Sequence, residues 1–248
     1  VPALGPIIGA LVAATLGWRW VFILMGLVSL VLAAATLPIW RETRHVRSQG
    51  SAPGYMRIPQ SRAFWAYTTA FGAAMGAFFV FFSTAPRVLI ERAGFSEFVF
   101  SLAFATVAAV MIVATRFASG FVLRWGVCGC ACRGLAVMLC GALLLLLGQA
   151  ALQPSFVSYI VPMWIVAIGI VMVGAVTANG ALGAFGDMAG MAVALHFCVQ
   201  SLLVGLVGTL FVITFGGDTA YPLVAYLAVM GSISWIWVRS VSSDEAKR

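Results

Sequence analysis

The sequence predicts an all-α membrane protein, a bundle of helices that each cross the bilayer. Three observations support this fold class. Hydrophobic residues make up 63% of the 248 residues and charged residues only 8%, which is too little polar surface for a water-soluble globule of this size. The apolar residues form long runs separated by charges. Runs such as Leu139–Leu147 do not alternate with polar residues, as the strands of a transmembrane barrel would.

The apolar runs define the predicted helices. A helix needs about 20 mostly apolar residues to cross a bilayer, and eight such stretches lie between charged and turn residues. The first stretch is short at its N-terminal side, as a cut helix would be. The eight predicted spans are Val1–Leu16, Trp20–Ile39, Ala63–Ala85, Phe98–Thr115, Gly134–Ala151, Phe156–Ala178, Met188–Phe215 and Ala220–Val238.

A polar segment divides these spans into two groups. Residues 41–62 carry five Arg, one Glu, two Pro and two Gly with almost no bulky aliphatic side chains, a composition typical of a loop. We therefore expect two spans in residues 1–39, a central loop at 40–62, six spans in 63–241 and a polar tail at 242–248.

The basic residues predict the orientation of the bundle, because Lys and Arg are retained on the cytoplasmic side during insertion. With the central loop in the cytoplasm, strict alternation places eleven of the 14 basic residues inside and only Arg19, Arg87 and Arg92 outside. The C-terminus is then cytoplasmic. The net charge of +7 is explained by topology, and no stretch interleaves basic and aromatic residues in the manner of a nucleic-acid-binding surface.

Enzyme and metal-site patterns are not found in the sequence. All seven acidic residues fall in predicted loops or at helix ends, and there is no nucleophile elbow, zinc-protease helix or phosphate-binding Gly-Lys loop. Cys128, Cys130 and Cys132 do not have the two-residue spacing of a zinc knuckle and lack a second pair. Cys140 and Cys198 are interpreted as packing residues, and disulfides are not expected on a reducing side.

A few polar side chains do fall within the predicted spans. His196 and Gln200 are four residues apart and share one helix face, and Asn179 closes the sixth span. Such groups at membrane depth face either a neighbouring helix or a cavity. Two interpretations stay open at this point: hydrogen bonds that hold the bundle together, or contacts with a substrate.

The third span is rich in aromatic residues. Phe71, Met75, Phe78 and Phe82 follow a 4-3-4 spacing and form one stripe on a helix. This stripe suits either a lipid-facing surface or the apolar wall of a drug-sized cavity. The small-xxx-small pair of Gly72 with Gly76 on the adjacent face predicts close packing against another helix.

Several segments of the sequence resemble motifs of a known family of membrane transporters. Gly5-Pro6-x-x-Gly9 followed by Leu16-Gly17-Trp18-Arg19 resembles the end of the fifth helix in twelve-span drug:proton antiporters of the major facilitator superfamily. The Gly-Pro-x-x-Gly-Gly motif of those proteins ends here in Ala10. Glu42-Thr43-Arg44 is similar to their exit from helix six, although Arg41 replaces a Pro. A nutrient facilitator of the same fold would not need the Gly-Pro-x-x-Gly motif.

Longer matches resemble the Bcr/CflA branch of that family and, within it, the chloramphenicol and florfenicol exporters. The matches extend over essentially the whole chain. They are Met75–Pro86 (MGAFFVFFSTAP), Phe104–Ala108 (FATVA), Pro162–Trp164 (PMW) and Thr177–Leu182 (TANGAL).

The resemblance implies where this chain lies within such an exporter. The chain corresponds to the end of helix five through helix twelve, so that residues 1–39 end an N-terminal half and residues 63–241 form the C-terminal six-helix half. Because it begins without Met and helices one to four are missing, we expect a fragment that is inactive alone. Those helices carry the membrane acid thought to couple protons and a Gly-Asp-Arg gating loop.

The resemblance also implies a function, which is efflux of phenicol antibiotics across the bacterial inner membrane by alternating access, driven by the proton gradient and without a cofactor. The expected partners are an apolar drug, protons and lipid. Gly5, Pro6 and Gly9 are expected to have a conformational role, since Pro6 permits a kink and the glycines permit close approach. The expected substrate-binding residues are Met75, Phe78, Phe82, Met163, Asn179, His196 and Gln200. The alternatives are another multidrug or nutrient transporter, or a non-transporting membrane scaffold.

Overall fold

The fold is known from a computed structural model that describes residues 4–39 and 56–245. The chain divides into two compact units between Ala52 and Pro53, and each is described by itself. Throughout the described ranges the regular secondary structure is helical, which confirms the predicted all-α fold. Most of the predicted central loop and the end of the tail lie outside the described residues.

Within residues 4–39, the described part of the first unit, there are two helices, α1 (Leu4–Leu16) and α2 (Trp18–Thr36). Gly17 joins them with φ of +91°, a conformation that L side chains rarely adopt. Gly5 and Pro6 lie in the described first turn of α1, where a missing backbone N–H costs little. The predicted kink at Pro6 therefore stays a prediction, and Gly9 follows within the same helix.

Residues 56–245, the described part of the second unit, contain six further α-helices. A π-helical turn extends α3, another precedes α5, and a third joins α6 to α7 into one length, which a 3₁₀ segment connects back to α5. The six are α3 (Arg62–Pro86), α4 (Glu97–Ala151), α5 (Val161–Leu182), α6 (Ala189–Leu202), α7 (Thr209–Phe215) and α8 (Tyr221–Glu245).

Helix α4 is two membrane spans joined by a sharp turn. Its 55 residues would reach about 80 Å if straight, far beyond the roughly 30 Å of a bilayer core. Gly126, with φ 67° and ψ 179°, interrupts the helix. Trp164 in α5 contacts Thr106 in the first limb, whereas Val166, half a turn further, lies against Gly141 in the second. The two limbs therefore run side by side.

This turn corrects the predicted boundaries of two spans. The sequence predicts spans that end at Thr115 and begin again at Gly134, because Arg116, Arg124 and Arg133 interrupt the apolar run. The structure keeps both limbs helical up to Gly126. Arginine is a good helix former, so an isolated Arg marks a membrane boundary without ending a helix.

Three glycines in the second limb of α4 allow it to pack closely on α5. Gly134, Gly141 and Gly148 are spaced seven residues apart and all face α5 or the turn before it. A Cβ atom at Gly141 would lie 2.5 Å from a side-chain carbon of Val166, and one at Gly148 would lie 2.7 Å from the carbonyl oxygen of Ser158. Close backbone contact of this kind is how helices associate in a bilayer.

Helix α3 lies at the centre of the second unit and contacts α5, α6, α7 and α8. The predicted Gly72 and Gly76 notch is confirmed as a packing surface. A Cβ atom at Gly72 would lie 2.8 Å from Leu203, and one at Gly76 would overlap the ring of Tyr226. The hydroxyl of Tyr226 donates to the carbonyl oxygen of Gly72 at 2.9 Å, so one side chain closes the notch.

Candidate functional site

Two aromatic clusters lie on α3, and the predicted stripe divides between them. Phe71 faces α6, whereas Phe78 and Phe82 face the first limb of α4. We call the group on the α4 side the open cluster and the group on the α6 side the closed cluster. The open cluster is Phe78, Phe82, Phe100 and Phe104, and the closed cluster is Phe64, Phe71, His196 and Phe197.

The open cluster presents aromatic rings at the surface of the second unit. The Phe82 side chain is 56% exposed, and Phe78 and Phe100 are half-buried. Phe104 is buried beneath them, with its ring centroid 5.4 Å from Phe82 in an edge-to-face contact and 6.3 Å from Phe78. Edge-to-face rings at this spacing attract one another, and the outer rings leave an apolar surface that a ligand can reach.

Rigid groups support the open cluster from behind. Phe81 stacks between Phe104 and Tyr159, with centroid distances of 5.6 Å and 5.8 Å. The Tyr159 hydroxyl is 2.9 Å from the hydroxyl of Thr84, within hydrogen-bonding distance. The rings of the cluster are therefore held in place by a packed and hydrogen-bonded layer.

Trp164 adds a polar link beside this layer. Its indole N–H donates to the Thr106 hydroxyl at 2.9 Å and so joins α5 to the first limb of α4. The neighbouring Met163 side chain is fully buried and points into the core. A ligand on the surface of the second unit cannot reach Met163 in this conformation without displacing other side chains.

The closed cluster surrounds His196. The imidazole is 1% exposed and stacks on Phe71 at 5.1 Å, with Phe64 and Phe197 against its edges. Its Nδ1 atom is 2.8 Å from the Thr68 hydroxyl. These contacts join α3 to α6, and they favour the interpretation in which His196 holds the bundle together.

The other predicted binding residues have varied positions. Met75 is half-buried on α3 and packs against the core. Gln200 is half-buried one turn beyond His196, and Asn179 is exposed near the end of α5. The structure thus brings Phe78 and Phe82 together, places Met163 and His196 in packed interiors, and leaves Asn179 at a helix end. Their roles in binding stay predictions.

Sequence reasoning missed two members of the open cluster. Phe100 and Phe104 are four residues apart at the start of α4, a spacing that places both rings on one helix face. This four-residue spacing was the signal in the sequence from which a second aromatic surface could have been predicted. Their partner surface on α3 could not be identified in the same way, because nothing in a single sequence states which faces of two helices meet.

A cavity lies at the end of the helices opposite to the open cluster. It has a volume of about 640 Å³ and opens at the turn of α4. Two indole rings and one guanidinium line it together with backbone and thiol groups. The lining residues are Tyr67, Trp125, Gly126, Val127, Cys128, Gly129, Cys132, Trp235 and Arg239.

Comparison with known proteins gives a family and two relatives. The Major Facilitator Superfamily profile matches residues 1–209. A chloramphenicol resistance protein of Pseudomonas aeruginosa is 38% identical over 234 residues, which are 94% of this chain and 56% of that protein. A chloramphenicol resistance protein of Escherichia coli is 33% identical over 107 residues, 43% of this chain and 35% of that protein. The chain thus spans about half the length of the first relative.

Proposed function

Since the chain belongs to the major facilitator superfamily and is a multi-pass membrane transport protein, we propose that it forms part of a bacterial exporter of phenicol antibiotics. The observation that carries the proposal is the 38% identity to a chloramphenicol resistance protein over 94% of this chain. The described fold suits a transporter, and the proposed activity is transport without chemical change of the drug.

The open cluster is the surface proposed to contact the drug. Chloramphenicol and florfenicol each carry an aromatic ring, and rings of Phe78 and Phe82 offer edge and face contacts to it. Small-molecule sites are mostly apolar with a few polar groups that fix orientation. Met75 on the same helix and the polar side chains of Gln200 and Asn179, which lie outside the open cluster, are proposed as further contacts with the drug.

The buried candidates are given a supporting role in this proposal. Met163 and His196 are buried, so a bound drug would not contact them directly. Their proposed role is to stabilise the packing of the helices that carry the drug-binding surface. Alanine at Phe78 or Phe82 is therefore expected to change the order in which drugs are exported. Alanine at Met163 or His196 is expected to lower the amount of folded protein.

The proposed mechanism is alternating access, in which two halves of the exporter rock around a central site and protons drive the cycle. The four acidic side chains that the structure describes, Glu91, Glu97, Asp187 and Asp218, lie at helix ends or in connections. Coupling through a carboxylate at membrane depth is therefore not assigned to any of them.

The proposed location is the inner membrane with a cytoplasmic C-terminus, based on the distribution of basic residues. A reporter active only in the periplasm should work when fused after Glu91 or Asp218 and should fail after Gln49 or Lys247. The reverse pattern would overturn the proposed orientation.

The function is tested by drug accumulation. The chain is completed with the part of the Pseudomonas aeruginosa relative that the alignment leaves uncovered and is expressed in a phenicol-sensitive bacterium. We expect less intracellular labelled chloramphenicol than with the empty vector, and we expect a protonophore to abolish the difference. Unchanged accumulation of chloramphenicol, together with lowered accumulation of an unrelated drug, would show that the exporter has a different substrate. No change for any drug would favour a non-transporting scaffold.

A further inference from the structure

Three cysteines follow the turn of α4, and the helix sorts them onto two faces. Cys128 and Cys132 are four residues apart, half-buried, and their Sγ atoms are 3.9 Å apart. Cys130 is buried on the other side, with its Sγ atom 3.5 Å from the carbonyl oxygen of Met172. The arrangement is therefore a pair of neighbouring thiols on one face and a separate packing thiol on the other.

The thiol pair opens into the 640 Å³ cavity at the turn. Both Cys128 and Cys132 line it, so a group attached to the two sulfurs has room on the cavity side. The walls include the indoles of Trp125 and Trp235. An apolar substituent carried by the ligand would lie against these rings.

The surroundings of the pair are basic. The guanidinium of Arg133 lies 4.8 Å from the ring centre of Trp125, and that of Arg239 lies 5.0 Å from the ring centre of Trp235. The cavity beside the thiol pair therefore carries positive charge.

The geometry excludes the two commonest uses of a cysteine pair. A disulfide needs Cβ atoms about 3.5–4.5 Å apart, whereas residues four apart on a helix hold their Cβ atoms about 5–6 Å apart. The helix would have to unwind to form that bond. In the described part of the chain, no group of three or more His, Cys, Asp and Glu residues is arranged to hold a metal ion, so a closed zinc site is not formed.

We propose that Cys128 and Cys132 form a dithiol-binding site for monosubstituted trivalent arsenicals. Such a compound has one carbon substituent on arsenic and exchanges its oxygen for two thiolates, so a pair of thiols satisfies it completely. Each sulfur forms one bond to arsenic, the arsenic–oxygen bond breaks, and the oxide leaves as water with the two thiol protons. The oxidation state of arsenic does not change, and no further reactant is needed.

The site is separate from the proposed drug surface. It lies where α4 turns and contacts α8, since the Cys128 Sγ atom is 3.8 Å from the carbonyl oxygen of Val238. The open cluster lies between α3 and the first limb of α4. The inference therefore does not rest on the identity of the transported substrate.

The test uses phenylarsine oxide and the purified, unmutated chain in detergent. We expect one phenylarsenic group per chain by intact mass, and peptide mapping after maleimide labelling should find Cys128 and Cys132 protected together. The adduct should resist a monothiol and be removed by 2,3-dimercaptopropanol. The two bonds form within one site, so the second is favoured by effective concentration.

Single substitutions separate this site from the other thiols. Cys128→Ser or Cys132→Ser should weaken retention of phenylarsine oxide by at least about 100-fold, because only one bond remains. The matched controls Cys130→Ser and Cys140→Ser with Cys198→Ser should retain the adduct. In the variants that keep Cys130, continued protection of this buried thiol from maleimide confirms that the variant is folded. Protection that maps to other cysteines, an adduct that a monothiol removes, or no adduct on the unmutated chain would overturn the proposal.

Discussion

The closed and open clusters on α3 both consist mainly of phenylalanine rings, but they differ in what the rings surround and in how far they are buried. In the closed cluster, Phe64, Phe71 and Phe197 surround an imidazole that is itself hydrogen-bonded to Thr68, and the imidazole is sealed from its surroundings. In the open cluster, Phe104 is sealed in the same way, but Phe78 and Phe82 lie over it with their outer faces uncovered. Both clusters join two helices, and each has one exposed ring, Phe197 at 51% and Phe82 at 56%, but only the closed cluster encloses a buried polar group.

Within the predicted stripe on α3, the degree of burial distinguishes rings with a structural role from rings with a proposed binding role. Phe71 and Phe82 belong to one helical pattern, yet Phe71 stacks on His196 and Phe82 is more than half exposed. Phe64 in the closed cluster is fully buried, so removing its ring leaves a cavity and costs stability. Removing a ring that has packing partners on only one side is expected to reduce ligand binding more than stability.

The largest expected effect comes from the notch at Gly72 and Gly76, which lies along α3 between the two clusters. Gly76→Leu would place a side chain where the ring of Tyr226 lies and would break the hydrogen bond from Tyr226 to Gly72. Overpacking of this kind costs about 1–3 kcal/mol or more, and here two helices would have to separate. We expect almost no monodisperse protein by size-exclusion chromatography in detergent.

The matched control for this substitution is Gly174→Leu in α5, where a Cβ atom meets nothing within 4 Å. This variant should be recovered at nearly the unmutated yield. Equal losses from both substitutions would mean that glycine itself, and not the notch, is needed in these helices.

The same substitution in the two clusters sharpens the comparison directly. Phe64→Ala removes a fully buried ring and should lower the free energy of unfolding by about 3–5 kcal/mol. Phe82→Ala should cost less than about 1 kcal/mol, since half of its ring has no protein neighbours. Unfolding by a denaturing detergent, followed by Trp fluorescence, measures both. Similar costs at the two positions would remove the distinction between the clusters.

A smaller effect is expected from the polar link in the closed cluster. Buried hydrogen bonds between membrane helices contribute about 0.6 kcal/mol on average and up to about 1.7. Thr68→Val and His196→Phe should each destabilise the protein within that range, and the double variant should add nothing further for the shared bond. Strict additivity in this double-mutant cycle would contradict the hydrogen bond.

The smallest effect is expected from the hydrogen bond between Trp164 and Thr106. Thr106→Val keeps the shape of the side chain and removes the hydroxyl that accepts from the Trp164 indole N–H, so we expect a loss of about 0.6 kcal/mol. Trp164→Phe removes the same hydrogen bond and also part of a ring system that packs on Phe156, so it should cost more. Equal losses from the two variants would mean that the indole contributes through this hydrogen bond alone.

The sequence was informative about features that repeat along one helix. Apolar length predicted the membrane helices, and the spacing of Gly72 and Gly76 predicted the notch that Tyr226 fills. The boundary of the α4 limbs was wrong because the position of charges was taken as the position of a turn. Only Gly126, with its positive φ, ends the first limb.

Features that depend on pairing between distant segments could not be predicted. His196 and Thr68 are 128 residues apart, so the sequence left open whether the imidazole faces a helix or a cavity. The cysteine spacing was judged against zinc knuckles in a loop. A continuous helix brings Cys128 and Cys132 onto one face, and this changes their chemistry.

The most direct test of the account measures drug export per folded molecule for Phe71→Ala and Phe82→Ala. Both are made in the completed exporter, and accumulation of labelled chloramphenicol is divided by the amount of folded protein. The account predicts that Phe82→Ala lowers export per folded molecule at an unchanged thermal stability. Phe71→Ala should lower thermal stability and the amount of folded protein while export per folded molecule stays the same. Loss of export per molecule from Phe71→Ala, with Phe82→Ala fully active, would contradict the assignment of the two clusters.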